Sequence, residues 1–247
     1  MDAYEQLKEI IKTSHHIVFF GGAGVSTESG IPDFRSADGL YNTKDVQFEG
    51  YAPEYLLSHD CLFHESKVFF EYYRQKLDTR DIQPNKAHHV LSLMEKKGKL
   101  DGIITQNIDG LHQKAGSHKV WEIHGSTLNN YCSRCGKTYP SDYIFNTSGI
   151  PYCGCGGLIR PDVTMYGESL PEEAWAHAIA LIKQADCLIV GGTSLTVYPA
   201  ANLVTYFKGK HLVMINRDQT PYDYKADLVI HDSIGKVFSE IEKGLTQ

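Results

Sequence analysis

The chain has 247 residues, 42% of them apolar and 22% charged, with a formal net charge of −6. That balance suits one large core, or a core with a small satellite domain, and it disfavours non-specific nucleic-acid binding, which needs a basic surface. No apolar run reaches the ~18 residues of a membrane span, and Met-Asp-Ala-Tyr-Glu-Gln lacks a signal peptide's basic and apolar regions, so the expectation is a cytoplasmic protein with no membrane or nucleic-acid partner.

Residues 3–13 read as an amphipathic helix with Leu7, Ile10 and Ile11 on one face. Residues 16–20 are a buried strand running into Gly21-Gly22-Ala23-Gly24-Val25-Ser26-Thr27. Gly22 and Gly24 fit Gly-x-Gly, but Thr27 stands where a dinucleotide fingerprint has its third glycine, and no acidic residue closes a second strand further on. Two readings stay open. One is a phosphate-binding loop with bare backbone N–H groups, and with Ser26 and Thr27 adding hydroxyls at a helix start. The other is a plain glycine turn after a core strand.

Residues 36–84 are aromatic-rich without a strand pattern and read as a cap of short helices and loops, its rings mostly packing. A helix from Asn85 to about Lys97 precedes a strand at 100–105, which ends in the polar run Gln106-Asn107-Ile108-Asp109-Gly110-Leu111-His112. Polar residues at the carboxyl end of a buried strand are where open α/β sheets place ligand groups. A third strand, 120–123, ends at His124-Gly125.

Cys132 and Cys135, followed by Cys153 and Cys155, form two close couples on a short connector, a zinc-ribbon spacing. Four thiolates fill the shell of one ion, which points to a structural zinc rather than a catalytic one. Cys61 and Cys187 have no such company, and Cys187 reads as core. In a reducing compartment the six cysteines are thiols or metal ligands. Beyond the ribbon come an extended stretch at 160–168, a helix at 171–184 and a strand at 187–190. That strand enters a second glycine–hydroxyl turn, Gly191-Gly192-Thr193-Ser194. A helix over 197–207, strands at 211–215 and 226–230, and a closing helix through Val237, Ile241 and Leu245 complete the chain. Strands alternating with helices imply an α/β fold, a doubly wound parallel sheet covered on both faces, with the cap and the cysteine segment inserted into it.

The run Gly22-Ala23-Gly24-x-Ser26-x-x-x-Gly30-Ile31-Pro32-Asp33-Phe34-Arg35 strongly resembles the cofactor loop of the sirtuins, the NAD-dependent protein lysine deacylases. The likeness covers nearly the whole chain. It takes in residues 105–112, His124-Gly125, the four cysteines, Pro161 through Glu168, Gly192-Thr193-Ser194-Leu195-x-Val197-x-Pro199-Ala200 and Ile215-Asn216. The resemblance implies a Rossmann-like domain (residues 1–35, 85–125 and 165–247), a helical cap insertion (36–84) and a small zinc-ribbon domain (126–164), with NAD and an acylated-lysine protein substrate meeting between them. It implies NAD contacts from Gly22, Ala23, Gly24, Thr27, Phe34 and Arg35, and a nicotinamide pocket of Gln106, Asn107, Ile108 and Asp109. Gly192, Thr193, Ser194 and Asn216 would hold the adenosine half, with Ile234 near the adenine. Val163, Thr164, Tyr166, Gly167, Glu168, Leu195 and Val197 would flank the peptide as an added strand.

By the same resemblance His124 is the general base, and Asn107 and Asp109 hold the nicotinamide carboxamide. As nicotinamide departs, the acyl-lysine oxygen can attack the ribose carbon it leaves, and a ribose hydroxyl then needs a base of near-neutral pKa, which histidine supplies. The products would be free lysine, nicotinamide and O-acyl-ADP-ribose, so NAD is consumed. Members that remove acidic acyl groups carry a Tyr-x-x-Arg pair in the cap. Alignment on Arg74 puts Glu71 at the tyrosine position, which implies a preference for acetyl or other uncharged groups. A protein mono-ADP-ribosyltransferase on the same scaffold and a non-enzymatic NAD or zinc-ribbon binding module are the alternatives. Asn107, Asp109 and His124 together argue against both. His112 reads as structural.

Overall fold

The computed structural model describes residues 2–34, 36, 39–42 and 45–246. Helix α1 (Ala3–Thr13) starts where the Asp2 carboxylate accepts the Glu5 N–H at 2.9 Å, and it turns Leu7, Ile10 and Ile11 inward. Strand β1 (Ile17–Gly21) is buried along its length. The chain then makes two short 3-10 turns, Ala23–Val25 and Thr27–Ser29. The helix start expected at Ser26 does not develop, because Gly30 takes a left-handed φ of 92° and Pro32 follows it.

Helices α2 (Pro53–Leu56), α3 (His59–His64) and α4 (Ser66–Lys76) build the cap. Helix α5 (Lys86–Lys96) opens with a capping box: the Asn85 side chain accepts the Ala87 N–H, and His88 Nδ1 accepts the Asn85 N–H at 3.2 Å. Strand β2 (Gly102–Thr105), helix α6 (Leu111–Lys114) and strand β3 (Val120–Glu122) follow. The cysteine-bearing segment carries β4 (Gly125–Cys132), β5 (Thr138–Pro140), α7 (Ser141–Phe145) and β6 (Ile159–Val163). Then come α8 (Glu172–Gln184), β7 (Cys187–Gly191), β8 (His211–Ile215), β9 (Leu228–Ile230) and α9 (Ile234–Thr246). The helix expected over 197–207 is a 3-10 helix, Ala200–Tyr206. Pro199 at its N-cap supplies no N–H, and the bonds close over three residues, as from Asn202 N–H to Pro199 O at 3.0 Å.

The large sheet has six parallel strands in the order β3-β2-β1-β7-β8-β9. The order reverses between β1 and β7, the switch point at which such sheets bind ligands. Alternation along β1 divides two cores. Phe19 packs with Leu91, Met94 and Phe238 beneath α1, α5 and α9. Phe20 packs with Ile182, Leu203 and Val204 beneath α8 and the 3-10 helix. Each side chain of this size stabilises the fold by about 1.5–3 kcal/mol when fully buried. Among the described residues no helix is long and apolar enough to cross a membrane.

A second, antiparallel sheet of order β5-β4-β6 forms a small lobe. The cap and the ribbon, read from the sequence as separate insertions, share one core, in which Phe69, Phe70 and Tyr73 pack with Ile144 and Ile159. Arg74 fastens the two, its Nε donating to Ile144 O at 2.8 Å and its Nη2 to Gly149 O at 2.5 Å. At the far end of the lobe the Sγ atoms of Cys132, Cys135, Cys153 and Cys155 lie within 4.8 Å of one another. Cys132 and Cys155 are 3.5 Å apart, and Cys135 and Cys153 are 3.7 Å apart. Four thiolates about 2.3 Å from one tetrahedral ion stand about 3.8 Å from each other. Donor type and spacing therefore fit one structural zinc with no place left for water.

One zinc per chain is the expected result of atomic emission on the purified protein. A strong chelator, or Cys135→Ala, should release it and loosen the shared core. Near-UV circular dichroism from the cap tyrosines should then fall while the far-UV signal of the large sheet persists. An unchanged near-UV spectrum after complete metal loss would contradict this assignment.

Candidate active site

The carboxyl ends of β1, β2 and β7 lie level. Gly21 pairs with Thr105 on one side and with Gly191 on the other, so three loops leave the sheet side by side. They open on a cavity of about 760 Å³ whose walls come from both the large sheet and the small lobe, a volume suited to a small-molecule ligand.

Two glycine turns interlock behind it. Gly24 N–H donates to Gly192 O at 2.8 Å, and a Cβ on Gly24 would stand 2.8 Å from Gly192 Cα. Gly192 has φ 60°, and a Cβ there would stand 2.4 Å from Val25 N. Backbone meets backbone at both positions, which no other residue permits. Gly22 belongs to the same packing: a Cβ on it would meet Thr193 Cβ at 2.8 Å, and Gly22 does not line the cavity. Ala23, Gly24, Thr27 and Phe34 do line it. Arg35, expected beside them, lies outside the described residues.

Gln106 joins the three loops. Its N–H donates to Gly21 O at 3.0 Å, its Nε2 donates to Thr193 Oγ1 at 3.0 Å, and its carbonyl meets His124 Nδ1 at 3.0 Å. A carbonyl only accepts, so Nδ1 carries the ring proton and Nε2 is the basic nitrogen. Burial pushes the imidazole below its ordinary pKa, and the Gln106 carbonyl works the other way. His124 lines the cavity and is therefore a neutral base at its wall.

Asn107 and Asp109 are each 8% exposed and meet at Ser26, which is 1% exposed. Ser26 Oγ donates to Asp109 Oδ2 at 2.7 Å and accepts Asn107 Nδ2 at 3.0 Å, with His88 Nε2 at 3.5 Å. The Asp109 Oδ1 atom accepts the Leu111 N–H at 2.9 Å. Burial raises the Asp109 carboxyl, while these two donors hold it back. In one of the two open readings Ser26 offered its hydroxyl to a phosphate; here that hydroxyl, on a residue at the cavity edge, donates to the acid and accepts from the amide, and so orients both. Ile108 is fixed from the lobe, its carbonyl accepting Thr127 N–H at 2.8 Å and Thr127 Oγ1 at 2.9 Å.

Gly192, Thr193, Ser194, Asn216 and Ile234 line the cavity, as do Val163, Thr164, Tyr166, Gly167, Glu168 and Val197. Leu195 does not. Its φ of 53° turns the side chain into the core under α8, where it is 1% exposed. The expectation for Glu71 also changes. Phe70 and Tyr73, with Phe69 and Tyr72, take the buried face of α4, which leaves Glu71 on the outer face, 4.0 Å from Lys67 and away from the cavity. Met165, within the 163–168 stretch expected beside the peptide, gives an apolar wall; those from Leu40, Leu57 and Leu170 were not foreseen, since nothing in their local spacing distinguishes them from core.

Glu122, two residues before His124, was also missed. Burial, with Asp109 and Asp162 nearby, pushes its carboxyl up to about 7 against opposing bonds from Gln113 and Ser126. Its pKa is higher folded than unfolded, so its contribution favours folding most below the ordinary value and fades as pH rises to about 7. The displacement from 4.5 to about 7 corresponds to about 3 kcal/mol. Glu122→Gln should therefore flatten stability against pH across that window in urea titrations. Parallel curves for the two proteins would rule this out.

The family model described as Sir2 family matches residues 22–199. An NAD-dependent protein deacetylase of Clostridium acetobutylicum is 52% identical over 243 residues, spanning 98% of this chain and 98% of its own. One from Clostridium perfringens is 54% identical over 243 residues, spanning 97% of this chain and 98% of its own. Among solved structures, a Sir2 with p53 peptide and NAD+ has a TM-score of 0.86 at 37% identity, covering 100% of both chains. A Sir2 with deacetylated p53 peptide and 3′-O-acetyl ADP ribose has a TM-score of 0.89 at 35% identity, covering 98% of both. The chain belongs to the Sir2 family, the sirtuins.

Proposed function

We propose that this protein removes acetyl groups from protein lysine side chains with consumption of NAD, releasing nicotinamide and O-acetyl-ADP-ribose. The observation that carries the reading is His124. Its Nδ1–H is held by Gln106 O at 3.0 Å, so the unprotonated Nε2 remains on a residue lining the cavity. The relatives named above are NAD-dependent protein deacetylases, and the solved Sir2 chains carry peptide, NAD+ or acetylated ADP-ribose.

We assign NAD to the crevice at the β1–β7 switch point, against Ala23, Gly24, Thr27, Thr193, Ser194 and Asn216, with Phe34 and Ile234 as apolar walls. The chain's own groups fit a nucleotide there: Gly24 and Gly192 admit close approach without a Cβ, Thr193 and Ser194 bring hydroxyls and Asn216 an amide, while the Thr27 hydroxyl donates to Gly24 O at 3.0 Å and steadies the turn. When bound, NAD supplies a ribose carbon that turns electron-poor as nicotinamide leaves, and hydroxyls that receive the acyl group. Asn107 and Asp109, pre-oriented through Ser26, hold a carboxamide. The Asp109 carboxylate accepts and the Asn107 amide both donates and accepts, a set that fits an amide edge. His124 Nε2 takes the proton of the ribose hydroxyl. The apolar walls exclude water, which protects the electron-poor carbon from hydrolysis.

We assign the acylated lysine peptide to the side lined by Val163, Thr164, Tyr166, Gly167 and Val197. The large domain is taken as residues 1–35, 85–125 and 165–247, with the cap at 36–84 and the ribbon at 126–164. A reducing compartment, the cytoplasm, suits a four-thiolate metal site.

Mass spectrometry of an acetylated peptide incubated with NAD should show O-acetyl-ADP-ribose, and His124→Ala should lower its formation by about 10²–10⁴-fold. Label from NAD retained on protein, with no acetylated ADP-ribose, would overturn the reading in favour of ADP-ribosyl transfer. The rate should fall in acid with a midpoint below the ordinary histidine value of about 6.5, because burial lowers the His124 pKa and only the neutral ring is a base. An acid limb centred above that value would exclude His124 as the base.

A further inference from the structure

Residues 163–168 leave the end of β6 as a short loop along the cavity wall. Backbone bonds fix it to its surroundings at three points. Thr164 N–H donates to His124 O at 2.9 Å, Tyr166 N–H to Leu57 O at 3.0 Å, and His59 N–H to Tyr166 O at 2.9 Å. A side-chain pair then closes the loop on itself. The Arg160 guanidinium meets both carboxylate oxygens of Glu168, Nη1 to Oε1 and Nη2 to Oε2, the latter at 2.8 Å. Nη2 also donates to Val163 O at 3.0 Å, and Nε to Pro161 O at 3.2 Å. Glu168 Oε2 accepts the Met165 N–H at 2.9 Å. One ion pair thereby ties the first residue of the loop, its third and its last to β6.

This pair is costly to bury. The Arg160 side chain is 8% exposed and that of Glu168 18%. Burial works against the ionised Glu168, but Arg160 and the Met165 N–H outweigh it and leave the carboxyl below its usual range. An ion pair this deep adds little stability over well-packed apolar groups, whereas its forked geometry holds register. What it registers here is the loop, with Gly167 at φ 89° completing the turn. The Tyr131 ring, under the guanidinium at 5.5 Å, adds a second constraint from β4.

We propose that Arg160 and Glu168 are positioning residues for the substrate peptide: the pair holds residues 163–168 as a rigid edge on which an extended chain docks. Glu168, expected from the sequence to touch the peptide, acts through the loop it braces, both oxygens being committed to Arg160 and Met165. The proposal rests on the deacetylase reading for the identity of the ligand.

The test measures peptide and NAD separately. Wild type, Glu168→Gln, Arg160→Lys and Arg160→Met/Glu168→Gln are compared for kcat, both KM values, zinc content and melting temperature. The Kd for a fluorescent acetyl-lysine peptide is read by anisotropy. Glu168→Gln is expected to raise peptide KM and Kd by about tenfold, as loss of a charged bond of ~1.4 kcal/mol would. KM for NAD should stay within about twofold and zinc at one per chain. Arg160→Lys, which keeps the charge and loses the fork, should fall between. The double variant should weaken peptide binding no further than Glu168→Gln alone, since the two residues act as a unit. Equal Kd values for wild type and Glu168→Gln, or parallel loss of peptide affinity, NAD affinity and melting temperature in Arg160→Lys, would overturn the proposal. An inactive wild type whose peptide binding still weakens in Glu168→Gln would instead remove the deacetylase reading alone.

Discussion

The parallel register of β1 between β2 and β7 is the constraint on which the site depends. It brings Gly21, Thr105 and Gly191 to one level and leaves three chain segments to diverge from a single line. Two of them begin as glycine turns that pass within backbone contact of each other, Gly24 N–H to Gly192 O at 2.8 Å. Side chains are excluded from that crossing by geometry. The glycines that let the two turns cross also spend their amides there, Gly22 N–H on Gly191 O at 3.3 Å and Gly24 N–H on Gly192 O at 2.8 Å. Of the two readings of the glycine run, the structure shows the packed turn: Gly22 and Gly24 both serve the crossing, and Gly24 also lines the cavity.

From that crossing Gln106 distributes position to the rest. It takes its own place from Gly21 O, passes a bond to Thr193, and sets the His124 tautomer through its carbonyl. Ser26 does the same for Asn107 and Asp109. A hydroxyl that accepts from an amide and donates to a carboxylate has one orientation, so three side chains from two loops share one arrangement. Both hubs are polar groups with nearly every bond committed inside the protein. Such networks are expensive when incomplete and rigid when complete, which is the state a binding pocket needs before its ligand arrives.

Much of this was legible in the chain itself. The buried strands announce themselves as apolar runs, the helices as periodic faces, and the metal lobe as two cysteine couples. What was not legible depends on partners remote in sequence. Ser26 faces Asp109 across 83 positions, and nothing around it tells a phosphate donor from an internal brace. Glu122 is raised by its surroundings rather than by its neighbours in the chain. The shared core of cap and ribbon joins Phe70 to Ile159, which no local pattern can signal. Leu195 was misplaced because the resemblance carried it over with its motif, and only the fold shows the φ of 53° that turns its side chain into the core. Glu71 is a different case: the periodicity of Phe69, Phe70, Tyr72 and Tyr73 already put it on the solvent side of its helix, and alignment to a motif overrode that signal.

The four cysteines stand at the far end of the lobe, none of them lines the cavity, and yet the lobe forms part of the cavity wall. The connection is mechanical and short. Cys132 ends β4, and Tyr131, the residue before it, lies against Arg160 of β6. β4 and β6 pair from Cys132 and Ile159 at the metal end to Gly125 and Val163 at the cavity end. The cavity end is crowded: a Cβ on Gly125 would stand 2.1 Å from Asp162 O, so the strand that carries His124 into the lobe passes β6 at backbone distance. Thr164 then bonds to the His124 carbonyl. A displacement of β6 relative to β4 would therefore move the backbone of His124 and the 163–168 loop together. The β4–β6 ladder shifts register between Ser126 and Asn130, so what a bound ion would fix directly is the Asn130–Cys132 part of the ladder, and the cavity end is held by its own contacts, Gly125 against Asp162 and Thr164 N–H to His124 O.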